Sequence, residues 1–328
     1  MSPKDIPISA SSVVSDRQPQ TCRLTPLEDA IKLTASENED SCFLGYLPED
    51  WCTNGDLGLQ AYGGFCTALI VSGGGKYFGS KHPRSNQAHC VSLHIQFLRP
   101  LPYGPFKISF EDIRKGSRFS VIEAKLCPRD TAVSSPYILS IITLGNLHRR
   151  TGPSISLQPK PIPNRLKDCV PWKHDYFDPN LNPPGARFKF LVPKGGPTPL
   201  WSPARGQNAR DQWAKVAGEN ETFNMEYLGL LADSVPALPM NYDPQGLKAT
   251  ETWAFPTVSL SLDIREDPTG KEWVLVRSRM RSLLNGRFDM EMQMLDESNN
   301  LLATCRHSCI MLARRSGLER TVTPKATL

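Results

Sequence analysis

The chain has 328 residues, enough for two domains of ordinary size, and its 39% apolar and 22% charged residues are the balance of a soluble globular protein. No stretch approaches the ~20 uninterrupted apolar residues of a membrane span, and Met1-Ser-Pro-Lys-Asp5 is not a basic region followed by an apolar core, so the cytoplasm is the expected compartment. A formal charge of +5, spread without a basic block or interleaved aromatics, gives nucleic-acid binding no support.

Residues 1–21, rich in Ser, Pro and Gln, read as a disordered tail. A short helix is predicted within Thr25–Ile31 and a strand over Cys42–Leu47. The main helix of the first half should start near Tyr62-Gly-Gly64 and run toward Phe78. It is apolar nearly all round, as befits a helix wrapped by a sheet, and Gly73-Gly-Gly75 is expected to interrupt it. Strands follow at 91–99, 104–114, 117–127 and 136–147, bounded by turn residues. The proline-dense stretch 150–185 reads as a linker without regular structure. Its Trp172, Tyr176 and Phe177 imply that it lies against the protein. A strand at 186–192, a polar helix-compatible insert with Trp201 and Trp213, and a second main helix from about Phe223 to Leu238 come next. Strands at 256–265, 272–284, 287–296 and 301–313 precede a loose tail at 317–328.

The two halves repeat one another. Val91-Ser-Leu-His-Ile-Gln-Phe97 and Val258-Ser-Leu-Ser-Leu-Asp-Ile264 alternate in phase, about 165 residues apart. Gly116-Ser-Arg-Phe119 and Asn285-Gly-Arg-Phe288 each open the third strand of their half. The expected organisation is an N-terminal domain at 22–149, a linker at 150–185 and a C-terminal domain at 186–316. The nine cysteines are odd in number, scattered and without a CxxC pair, which fits free thiols in a reducing compartment. Cys305 and Cys309 flank His307, but on a strand such positions are about 13 Å apart, too far to share one ion, and no metal is expected.

Several segments, in this order and spacing, resemble the double hotdog acyl-CoA thioesterases, that is, the type II thioesterases and their thioesterase-like relatives in fungi. They are Tyr62-Gly-Gly64, Phe97-Leu-Arg-Pro100, the turns Lys115-Gly-Ser-Arg118 and Asn285-Gly-Arg287, and Leu231-Ala-Asp-Ser234. The similarity spans about residues 40–148 and 186–314. It implies an α+β double hotdog: two long helices, each wrapped by half of a continuous antiparallel sheet. It also implies an acyl thioester bound where the halves meet, with coenzyme A as part of the substrate, or a carrier-bound acyl or polyketide group, and no other cofactor. In the family an Asp, a Ser or Thr hydroxyl and a Gln amide orient a water against the thioester carbonyl. Carried over, the Asp falls on Asp233, the hydroxyl on Thr257, and the Gln position on His307, which is a departure. The sheet edges or faces offer surfaces for a homo-oligomer.

The residues themselves leave alternatives open. Asp233 is the only acid in Tyr227–Val235, so burial would raise its pKa and require a partner, whether it serves as a base or as a structural cap. Thr257 follows Pro256 at a strand start, with Ser259 and Ser261 expected on its face and Ser259 a further substrate contact. Alternation puts His307 inward, either as a satisfied core residue or as half of an Asp-His pair able to transfer protons near neutral pH. An Asp-His site would equally suit a dehydratase, isomerase or cyclase of a biosynthetic pathway, and an acyl-binding protein without turnover is a third reading. Gly63 and Gly64, with Tyr62, either present backbone N–H groups to an oxyanion or simply allow tight packing. Asn54, Asp56 and Gln60 lie just before that helix. His89, His94 and Cys66 are expected to have no catalytic part.

Overall fold

A computed structural model describes residues 24–314 except 38, 56–57, 150, 156–159, 196–205 and 243–247. The two tails, Asp56 and Trp201 lie outside the described residues. The first half consists of β1 (Cys42–Leu47), the helix α1 (Gly63–Lys81), and strands β2 (His89–Phe97), β3 (Gly104–Arg114), β4 (Ser120–Pro128) and β5 (Ile138–Gly145). The second contains β6 (Phe188–Pro193), β7 (Ala209–Val216), the helix α2 (Met225–Leu231), and strands β8 (Thr257–Ile264), β9 (Val274–Arg279), β10 (Arg287–Leu295) and β11 (Leu301–Ile310). They share one antiparallel sheet in the order β1-β3-β4-β5-β2-β8-β11-β10-β9-β7-β6. The two alternating segments that repeat in the sequence are β2 and β8, and they pair with each other at the centre, with Leu93 opposite Leu262 and Ile95 opposite Leu260. The order outward from that pair is the same on both sides, so the repeat is a pseudo-twofold in space. This large sheet curled over few helices is a hotdog fold.

The helix α1 is continuous for 19 residues, so Gly73-Gly-Gly75 does not interrupt it. The glycines serve the sheet instead. A Cβ on Gly73 would come within 2.8 Å of the Phe110 ring, one on Gly74 within 2.8 Å of the Ile142 side chain, and one on Gly75 within 2.4 Å of the Ala88 carbonyl oxygen. Without side chains there, the sheet approaches the helix backbone directly, and the lost propensity is offset by burial of Phe65, Leu69, Ile70 and Phe78.

The second helix is not long: α2 has seven residues rather than the stretch from Phe223 to Leu238. Asn224 caps its start by accepting from the Tyr227 N–H at 2.8 Å. At its end, Ser234 Oγ donates to the Leu230 carbonyl at 2.6 Å, and Pro236 removes an N–H and steers Val235 away from helical geometry. A 3-10 turn over Leu238–Asn241 is all that resumes.

Two further expectations need correction. The region around Trp213 is strand β7, not helix. Both its faces are covered, so the alternation that marks a half-buried strand is missing: Trp213 packs outward with Leu275, Leu295 and Cys169, and its indole N–H donates to the Pro163 carbonyl at 3.1 Å. The linker likewise has regular structure, since Cys169–Pro171 pairs with β6 as an edge strand, a position that tolerates proline. It is tied to the sheet by Arg277, which donates to the Pro161 carbonyl at 2.6 Å, and by buried Trp172.

The glycine contacts give a direct test. Gly75→Ala improves helix propensity by about 1 kcal/mol but drives a methyl into backbone. We expect a net loss of about 1–3 kcal/mol in urea unfolding; a gain would show that the sheet can retreat from the helix.

Candidate active site

A cavity of about 2030 Å³ opens where the halves meet. The first half contributes Tyr62, Gly63 and Phe97 to its wall, the second Asp233, Val235 and Thr257, and the linker Tyr176.

Asp233 is placed by the ending of α2. Two residues past the helix, the chain tightens into a turn in which the Asp233 N–H donates to the Leu230 carbonyl and the Ser234 N–H to the Leu231 carbonyl, at 3.3 and 3.1 Å. This directs the carboxylate at the N-terminus of α1, where a Cβ on Gly63 would lie 2.0 Å from Oδ2. No side chain caps that helix start, so the positive end of the helix dipole lies beside the carboxylate. Burial pushes the Asp233 pKa up to about 7, partly opposed by the hydroxyl of Thr257, which donates to Oδ1 at 3.0 Å. A carboxyl that titrates near neutrality is suited to general base work.

Thr257 reaches Asp233 through a β-bulge. In the pairing of β8 with β11, Thr257 faces Cys309 while Ser259 already faces Ser308, so one extra residue is accommodated between them. The bulge reverses the alternation and turns Thr257 inward. Ser259 and Ser261 are therefore not on the face of Thr257. Ser259 pairs with Gln96 across the central strands and is absent from the cavity wall, while the hydroxyl of Ser261 meets His94 Nδ1 at 2.9 Å in an exposed contact.

His307 is inward, 1% exposed, but it stands behind Asp233 and does not line the cavity. Its Nδ1 lies 3.6 Å from Asp233 Oδ1 and its Nε2 3.2 Å from Cys305 Sγ. Burial pulls its pKa down to about 4, with the Ala232 backbone offsetting this in part. Burial thus disfavours the charged form of both groups.

Gly64 lies against α2, where a Cβ would come 2.7 Å from the Leu230 carbonyl oxygen. Close packing is therefore what the structure shows at Gly64. The phenol of Tyr62 is pushed well above its ordinary pKa, first by burial and then by Tyr176 and Asp233, and remains a neutral donor. Asn54 and Gln60 line the cavity. Cys66 does as well, but burial raises its thiol pKa and Asp233 adds to the shift, so it offers no thiolate. His89 Nδ1 accepts the Leu147 N–H at 3.1 Å, away from the site. Among the described residues no three His, Cys, Asp or Glu side chains gather as a metal site. Tyr176 was hidden from sequence reasoning inside the proline-rich linker, where only its aromatic neighbours signalled contact with the protein.

The sequence matches two family models in series: the acyl-CoA thioesterase N-terminal domain over residues 47–144 and the acyl-CoA thioesterase C-terminal domain over residues 166–311. The thioesterase-like protein TwmA of Talaromyces wortmannii is 22% identical over 325 residues, covering 83% of this chain and 90% of TwmA. Among solved structures, a hot dog fold protein of Alicyclobacillus acidocaldarius is similar with TM-score 0.67 and 16% identity, over 88% of this chain and 98% of that one. The acyl-CoA thioesterase II TesB2 of Mycobacterium marinum gives 0.63 and 14%, over 88% and 99%. Two family models that together take in both halves of the sheet and Asp233, Thr257 and His307 establish that the chain belongs to the acyl-CoA thioesterase family and is a thioester hydrolase.

Proposed function

We propose that hydrolysis proceeds by direct attack of a water activated by Asp233, with no acyl-enzyme intermediate. The observation that carries this reading is the Asp233 carboxylate itself, lining the cavity, held by Thr257 and poised to ionise near neutrality. Asp233 takes a proton from water as the water oxygen bonds to the thioester carbonyl carbon. The carbonyl oxygen becomes an oxyanion, stabilised by the unpaired N–H groups at the start of α1. When the carbon–sulfur bond breaks, the departing thiolate recovers the proton from Asp233, leaving a carboxylic acid and a thiol. Thr257 keeps the carboxylate oriented toward the water. His307, neutral and enclosed, props the carboxylate from behind and takes no part in proton transfer.

Coenzyme A suits the site as the thiol carrier. Arg99, Lys248 and Arg314 all line the cavity, giving cationic groups for its phosphates. The exclusion of His307 from the cavity favours hydrolysis over the dehydratase, isomerase or cyclase alternative, which would need the imidazole beside the substrate.

Replacing Asp233 by Asn should retain the fold and lower thiol release from acyl-CoA by about 10²-fold or more; an Asn variant with unchanged turnover would end the mechanism. The wild-type rate should rise with pH through about 7 and level off, because the ionised carboxylate is the active form. Thr257→Val removes a hydrogen bond that favours ionisation, so its profile should move to higher pH. A shift the other way, or none, would remove Thr257 from the role. His307→Gln should keep turnover within about tenfold and leave the midpoint nearly in place. Loss of the pH-dependent limb would instead assign that limb to the imidazole.

A further inference from the structure

Phe97 belongs to the first half and Asp233 to the second, yet they meet over one glycine. A Cβ on Gly63 would lie 2.0 Å from Asp233 Oδ2 and 3.7 Å from Phe97 Cζ, so a single point at the start of α1 has the carboxylate on one side and the tip of the ring on the other. Both side chains line the cavity. The strand explains how the ring arrives there. Leu93, Ile95 and Phe97 share the inward face of β2 by alternation, and the first two are enclosed, at 1% and 0% exposed. Phe97, the last residue of the strand, is only half-buried, and its uncovered part borders the cavity. Directly after it the chain bends, and the Leu98 and Arg99 N–H groups both donate to the Tyr137 carbonyl, at 2.9 and 3.0 Å. That double anchor fixes the backbone carrying the ring.

Asp233 keeps 11% of its side chain exposed, and the remainder is enclosed. The titratable groups facing it are Tyr62 just ahead of α1, Cys66 on that helix, Tyr176 in the linker, and Cys305, His307 and Cys309 on β11. Burial disfavours the charged form of every one of them. What shifts Asp233 is burial, opposed by the Thr257 hydroxyl, and no cation acts on it. With no ion pair to set its ionisation, the access of water to the carboxylate is decisive, and on the cavity side that access is bordered by Phe97.

We propose that Phe97 is a positioning residue for the hydrolysis: supplied by the opposite half, its ring closes the open side of the Asp233 carboxylate against bulk water, so that the water it activates is held apart from solvent. The ring displaces waters that would solvate the carboxylate, and its weakly positive edge returns only part of what they gave. A carboxylate kept short of water is the stronger base. The assignment rests on the reading of Asp233 as that base.

The test follows the Asp233 carboxyl directly, by carbon NMR of protein labelled at the aspartate side-chain carboxyls, the signal being identified by its loss in Asp233→Asn. This titration needs no substrate. Phe97→Ala should lower its midpoint by about one pH unit and Phe97→Leu by less. The rise of thiol release with pH should move the same way, with kcat on the plateau reduced severalfold and KM changed less, because the hydrated carboxylate is a weaker base. A ring that only fills the core would lower the melting temperature on truncation and leave both midpoints in place, and that result would overturn the assignment. If Phe97→Ala does not fold, Phe97→Leu decides: a downward shift supports the shield, and none or an upward one counts against it. Full turnover in Asp233→Asn would sink the base and leave the carboxyl titration of the Phe97 variants to judge the shield separately.

Discussion

The close approach of the two helices is the constraint on which the site depends. At Gly64 of α1 the space for a side chain is taken by the Leu230 carbonyl, and at Gly229 of α2 a Cβ would press on the Val71 side chain at 3.3 Å. At Gly64 the backbones are near enough that glycine is required, and the contact fixes the end of α2 against the beginning of α1. The turn that ends α2 then brings Asp233 beside the N-terminus of its partner helix. The carboxylate and that N-terminus are thus delivered by a packing interaction between halves, and neither half holds both.

That placement sets two influences on one group in opposition. Removal from water favours the neutral acid, while the Thr257 hydroxyl favours the carboxylate. Burial prevails, and the Thr257 hydroxyl, brought into contact by the bulge, offsets only part of the rise. The His307 imidazole, whose charged form burial disfavours, packs on the side of the carboxylate away from the cavity.

Much of the architecture was legible because it rests on periodicity. The alternation in β2 and β8 marks strands with one face on the helices, and their repetition marks two equivalent units that turn out to be neighbours. The apolar surround of α1 signals its enclosure. What escaped had local causes. Alternation fails on β7 because both faces are covered, so Trp213 was read as part of a helix-compatible insert. Leu228 to Leu231 carry the helical pattern onward into Ala232, and the early ending depends on Ser234 and Pro236. Period-2 counting put Ser259 with Thr257 because a bulge leaves no mark in composition. Asp233 stood out as a lone acid in an apolar run, but nothing in the residue order says that His307 lies on its far side from the cavity.

The pairing of β2 with β8 has a consequence for the halves as separate objects. Each ends its own set of strands at that seam with an alternating row of backbone donors and acceptors that only the other satisfies. Cut apart, either half would display a raw central strand, and the surface best matched to it would be the same strand on a second copy, running the opposite way. The pseudo-twofold therefore contains the geometry of a symmetric pair of identical subunits. In the single chain the partners are tethered, so one member can devote its helix to length and burial while the other gives up most of its helix to place a carboxylate, a division of labour that identical subunits cannot adopt.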